Sequence, residues 1–252
     1  MRRARWRMCL AAVAAVAVAA AGCGAGGNVA GGELTIYTTP GLAATLGELT
    51  HAFTSTYPAV LLQTVTEPDA QMPGHIAQGP APDLITAEAP ATLKAAGASD
   101  APVHFAQGQI VIAVRADNPT PVTDLADLAQ PGVRVALCAA EQPCGAVAAA
   151  VLATTQVSLT DASYEPDVRS ALNDVTNGTA DAALVYRFTA EAAGDAVHTV
   201  EIPQSSTSLA DLVAVIPSGA RNAGVAKTFL DYLASQPVQE TLVARGFSPP
   251  AS

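Results

Sequence analysis

Short apolar runs and stretches of helical spacing take turns along this chain from residue 34 to residue 246. That alternation limits its fold more than any other feature. Residues 34–37, 60–65, 84–87, 109–115, 133–137, 182–186, 197–202 and 209–216 are brief and rich in apolar side chains, as buried strands are. Between them, Leu42, Leu46, Leu49 and Phe53 fall on one helical face, and Pro58 stops it. Residues 145–153 read as an alanine-rich helix. Val168, Leu172 and Val175 repeat the spacing, with Gly178 where a C-terminal glycine belongs. Val225, Phe229, Leu230 and Leu233 mark another helix, and the last opens at Pro237 as a first-turn proline and closes at Gly246. Alternation of this kind predicts an α/β protein with parallel strands and helices on both faces. Periodicity alone does not choose between one sheet and two lobes.

Half of the 252 residues are apolar and only 13% are charged, which excludes a disordered chain. With 12 basic against 22 acidic residues, the basic footprint of a nucleic-acid binder is absent. The positive mean hydropathy traces largely to alanine and to the N-terminus. There Arg2, Arg3, Arg5 and Arg7 precede an unbroken apolar run of fourteen residues, 8–21. A spanning helix needs roughly 20 residues, so residues 1–22 read as a secretion signal. The run ends Ala20-Ala21-Gly22-Cys23, which resembles the bacterial lipobox except that Ala20 stands where a leucine is preferred. Lipidation of Cys23 and plain signal cleavage are the two readings. Residues 23–32 carry too little side chain to pack and read as a tether. Removing the signal removes four arginines, leaving 8 basic and 22 acidic residues, a net charge of −14.

Cys138 and Cys144 remain for the exported domain. In an oxidising compartment they suit a small-loop disulfide, with free thiols the alternative. No histidine or second cysteine pair lies near enough in sequence for zinc. His51, His75, His104 and His198 are scattered, and no HExxH, GxSxG, phosphate-binding loop or dinucleotide fingerprint occurs. Asp124 and Asp127 look like the charged start of a helix. No catalytic set, cofactor or protein-bound metal is expected. What the chain offers is strand-to-helix junctions at Tyr37-Thr38-Thr39-Pro40-Gly41, at residues 138–145 and at Glu165-Pro166-Asp167-Val168. In open α/β sheets such junctions line the ligand crevice, and helix N-termini there suit an anion.

These segments have a familiar order. Leu34-Thr35-Ile36-Tyr37 and its helix lead to Gly79-Pro80-Ala81-Pro82-Asp83-Leu84-Ile85-Thr86-Ala87-Glu88, then to Arg115-Ala116-Asp117-Asn118-Pro119. Asp124-Leu125-Ala126-Asp127-Leu128 and Gly178-Thr179-Ala180-Asp181-Ala182-Ala183-Leu184-Val185-Tyr186 follow, and Arg245-Gly246-Phe247 ends the series. The set resembles the molybdate-binding proteins of ABC importers across nearly the whole exported chain. The block around Cys138 and Cys144 resembles the family's actinobacterial branch.

The resemblance implies a two-lobed periplasmic-binding-protein fold of type II, a flytrap with two crossover hinge strands near Gln109 and Leu209. It places one lobe at about 33–108 plus 210–252 and the other at about 109–209. The implied protein is a monomeric extracytoplasmic lipoprotein, lipid-anchored at the cell membrane. It would capture molybdate or tungstate and pass it to a permease and ATPase. Residue by residue, the resemblance assigns backbone donors to Gly145 and Val168 and a hydroxyl donor to Tyr186. Two family serines are missing. One falls at Gly41, in Thr38-Thr39-Pro40-Gly41, and the other within Glu67-Pro68-Asp69-Ala70. Each lost hydroxyl removes roughly 1.5–3 kcal/mol of hydrogen bonding to a charged ligand. Thr38, Thr39 and Thr66 are the candidate replacements, and Asp69 or Glu67 facing the cleft repels an oxyanion. The alternative is the same fold serving a different small solute, or a sensor.

Overall fold

The computed structural model describes residues 31–98 and 101–251. The signal, Cys23 and all but the end of the tether lie outside the described residues. Gly32, expected at the end of the tether, instead opens the first strand by pairing with Val60.

In chain order the elements are β1 (Gly32–Thr38), α1 (Ala43–Thr56), β2 (Val60–Thr66), α2 (Met72–Gln78), β3 (Leu84–Ala87), α3 (Pro90–Ala95) and β4 (Val103–Arg115). Then come β5 (Val135–Cys138), α4 (Pro143–Thr155), β6 (Ala162–Glu165), α5 (Val168–Asn177), β7 (Ala182–Tyr186) and α6 (Arg187–Ala192). The chain closes with β8 (Val197–Val200), β9 (Leu209–Val215), α7 (Ala223–Leu233) and α8 (Gln236–Ala244). Pro237 sits one residue inside α8, after Gln236.

The strands order as β2-β1-β3-β9-β4-β7-β5-β6, with β8 beside β4. The sheet is not all parallel as expected. β1 runs parallel to β2 and β3, and β5 runs parallel to β6 and β7, but β4 and β9 pair antiparallel. The reason lies in β4, which is thirteen residues long where the apolar run predicts seven. Its first half, from Val103 to Gln109, pairs with β9; from Ile110 onward it pairs with β7 and β8. The polar residues of Gln107-Gly108-Gln109 hide this first half from a hydrophobicity reading, and β9 supplies the partner that makes it a strand. β4 therefore crosses between the halves, changing ladder partners at residues 109–110, and the chain returns to the first half at Leu209, where β9 begins. This is the two-lobed, type II architecture.

Each half has an apolar core under its sheet. Leu34, Ile36, Phe53 and Phe229 are fully buried in the first half, with Phe53 edge-on to Phe229 at 5.0 Å between ring centroids. Val135, Val151, Val175 and Leu184 fill the second. Tyr186, Phe188 and Phe247 stack successively, with centroids 5.0 and 4.2 Å apart, tying the end of β7 to the chain's C-terminal segment. Buried aromatic pairs of this sort contribute about 0.5–1.5 kcal/mol beyond area burial.

Candidate functional site

The C-terminal ends of β1, β3, β5 and β7 face one another where the two halves meet. The expected site residues lie at these strand ends or in the segments that follow them, in differing environments.

From the second half, α4 begins at Pro143, whose missing N–H costs nothing in a first turn. Ala146 makes the first bond back, to the Gln142 carbonyl at 3.0 Å, so the Gly145 N–H belongs to the helix's open end. A side chain on Gly145 would strike the Ala139 carbonyl and come within 2.7 Å of the Cys138 carbonyl, so only glycine fits. The Cys138–Cys144 disulfide closes this turn, with Cα atoms 5.8 Å apart. At α5, Asp167 caps the Arg169 and Ser170 N–H groups through Oδ1, each at 2.9 Å. Val168 stands first in the helix with no carbonyl in the preceding turn to receive its N–H. Tyr186 ends β7 fully buried, and its hydroxyl has no hydrogen-bond partner among the described residues.

The first half presents acid in place of hydroxyls. Glu88, just past β3, is buried and accepts a hydrogen bond from Thr39 Oγ1 at 2.6 Å. A methyl on Gly41 would come within 2.5 Å of Glu88 Oε1 and 3.0 Å of Val168 Cγ1. A side chain at position 41 and the Glu88 carboxyl thus compete for one space, which explains the glycine. Asp69 is also buried, accepting from Thr92 Oγ1 at 2.6 Å and from the Glu88 N–H at 3.2 Å.

Burial pushes Glu88 up to about 8, helped by the Asp69 charge and, less, by Asp167. Burial likewise lifts Asp69 to about 6, against the pull of its Thr92 and Glu88 hydrogen bonds. Burial, followed by the Glu88 and Asp69 charges, raises Tyr186 well above the ordinary tyrosine range. The Glu88 carboxyl is near enough to act on that hydroxyl, but the two do not meet at hydrogen-bonding geometry.

Of the threonines proposed as replacement donors, Thr38 is turned into the first half, where its Oγ1 accepts from Thr86 at 2.9 Å. Thr39 is spent on Glu88, and Thr66 is exposed. Glu67 pairs with His75 at 2.8 Å. Glu88 has one usable signal in the sequence, an acid directly after a short, wholly buried strand, at the sheet edge where ligands bind. Gln142, with no such signal in the sequence, is buried, and its amide accepts from the Ala70 N–H and donates to Gln71 Oε1, both at 3.4 Å, across the crevice. Cavities of about 190 Å³ beside Gly41 and Arg169, and about 300 Å³ beside Asp69 and Gln142, flank the buried centre. Among the described residues no group of three or more His, Cys, Asp or Glu is placed to hold a metal ion. No described helix is long and apolar enough to cross a membrane.

A two-lobed mixed sheet with hinge strands and a crevice at the strand ends is the type II fold of solute-binding proteins. The family model for a bacterial extracellular solute-binding protein matches residues 34–248, and the chain belongs to that family, whose members bind solutes and are not enzymes. It is 24% identical over 221 residues to the molybdate-binding protein ModA of Mycobacterium bovis, covering 86% of this chain and 85% of that one. Among solved structures it resembles the periplasmic molybdate-binding protein of Azotobacter vinelandii, with a TM-score of 0.73 at 19% identity, covering 86% of this chain and all of the other. It also resembles the sulfate-binding protein SubI of Mycobacterium tuberculosis, with a TM-score of 0.69 at 20% identity, covering 86% of each chain.

Proposed function

We propose that the protein is an extracytoplasmic receptor that captures a small tetrahedral oxyanion, of the molybdate or tungstate type, between its lobes. It then delivers the anion to an ABC permease and ATPase, and lipid on Cys23 holds it at the membrane. Residues 33–108 with 210–252 form one moving body and residues 109–209 the other, hinged where β4 and β9 cross. The observation that carries this reading is the Tyr186 hydroxyl, buried without a partner beside the start of α5. A buried polar group costs about 1–3 kcal/mol unless something satisfies it, and an oxyanion does so. The Gly145 and Val168 N–H groups, at the positive ends of two helices, complete a donor set that needs no lysine or arginine. Relatives named for molybdate and sulfate support the ligand class.

A thermal-shift titration of the purified protein tests it. Molybdate or tungstate at about a hundredfold over its dissociation constant adds roughly 2.7 kcal/mol of stability. No shift with millimolar molybdate, tungstate, sulfate or phosphate sinks the oxyanion reading. It would leave the second one, a different small solute, which the two buried acids favour because each accepts a donated hydrogen.

A further inference from the structure

Two carboxyl groups lie in the crevice without a cation. Neither Glu88 nor Asp69 is in an ion pair among the described residues, where the acids so paired are others. An ionised carboxylate and an oxyanion are both pure acceptors, and neither can satisfy the other. The unpartnered Tyr186 hydroxyl beside them shows that this centre has hydrogen-bonding capacity left over for a ligand. Resting on the oxyanion reading, we infer that the crevice takes its anion together with one proton, shared between a ligand oxygen and the Glu88 carboxyl.

The surroundings of Glu88 favour the proton. Asp69 faces it from the segment after β2, Asp167 acts on it from the cap of α5, and Tyr186 adjoins it from the end of β7. Thr39, from the segment after β1, gives it one hydrogen bond. Two of these neighbours are themselves negative. Arg169 lines the cavity on the Gly41 side, and Glu141 lines the one on the Asp69 side, without pairing with either buried acid. The Glu88 carboxyl, pushed up to about 8 by burial and then by the Asp69 charge, expresses this arrangement. A bound dianion raises it further, because a third negative group stands against it. The proton has two sources. With an aprotic dianion such as molybdate it comes from solvent, onto the Glu88 carboxylate, which then donates through its O–H. With a protonated oxyanion such as hydrogenphosphate it arrives on the ligand, whose O–H donates to ionised Glu88. No bond within either ligand breaks.

Calorimetry on the wild-type protein from pH 7 to 9.5, in two buffers of different ionisation enthalpy, reads this directly. Molybdate affinity is expected to fall about tenfold per pH unit above pH 8, with buffer-dependent proton uptake. Phosphate affinity is expected to stay level over the same range. Glu88→Gln is neutral at every pH and keeps a donor, so it is expected to bind molybdate at least tenfold more tightly than wild type at pH 9.5 and to lose that slope. The empty proteins give a third readout. Groups lifted on folding contribute stability below their ordinary pKa that is lost as pH rises through the lifted values. Wild-type stability should therefore decline from about pH 4 to 8, and less so in Glu88→Gln.

Molybdate binding that is flat with pH and takes up no proton overturns the inference, as does Glu88→Gln keeping the wild-type slope. In either case oxyanion capture itself stands. Failure of both anions to bind either protein at any pH overturns the oxyanion reading and the inference with it.

Discussion

The two walls of the crevice solve the same problem with different materials. The wall from β5, β7 and their helices offers the N–H groups of Gly145 and Val168 and one phenol, Tyr186. The opposite wall, from β1, β2 and β3, offers Gly41, Glu88 and Asp69, two of them buried acids with no counter-ion among the described residues. A backbone donor depends on where a helix starts and not on which side chain it carries, so it survives wide divergence in sequence. A hydroxyl donor disappears with one substitution. On the proposed function, the first wall holds the anion through backbone donors, and the second sets which anion enters and with how many protons.

Gly145→Val attacks the first wall hardest. Its side chain meets the Cys138 and Ala139 carbonyls, which belong to a turn held by the disulfide and cannot swing aside. The expected loss is about 3 kcal/mol of stability by urea unfolding; a loss under 1 kcal/mol means the turn is softer than its packing implies. Val168→Pro is gentler, because proline is tolerated first in a helix and Asp167 before it is already extended, with φ −161° and ψ 169°. It removes only the N–H and part of a buried side chain. Oxyanion affinity is expected to fall by tenfold or more, as loss of a charge-assisted hydrogen bond requires. Unchanged affinity by calorimetry, with the helix retained by circular dichroism, removes Val168 from the donor set. Replacing Cys138 and Cys144 together by serine opens a seven-residue loop and is expected to cost about 2 kcal/mol in urea. Because the same loop carries Gln142 across the crevice, a matching loss of affinity would show that the disulfide also supports closure.

How much of this was legible beforehand follows from which interactions are local. The helix at Val168 was readable because an Asp167 cap, an apolar stripe and Gly178 in left-handed conformation, φ 77°, are all determined within twelve residues. The disulfide pair was readable from spacing and compartment. Helices α2 and α3 were not, since each spans seven residues or fewer and shows hardly one full apolar period. Asp124 and Asp127 do organise a helical turn, Asp127 accepting from the Thr123 and Asp124 N–H groups, but it is a single 3₁₀ turn at Ala126–Ala129. At the site, Tyr186 and Val168 were placed by resemblance. Thr38 was named as a donor, and the structure turns it toward Thr86, because residue alternation along β1 sends neighbouring side chains to opposite faces.

By itself, then, the sequence determined the class: an acidic α/β chain of alternating strands and helices, with 12 basic against 22 acidic residues. Periodicity, caps and cysteine spacing are short-range properties, and a chain records them directly. Only the tertiary structure decided that β4 runs through both halves, that Glu88 fills the space Gly41 leaves, and that Asp69 stands beside it. Residues 41, 69 and 88 meet only when three separate strand ends are brought to one edge of a sheet. What a buried acid does depends on the charges and donors around it, and those neighbours are fixed by folding.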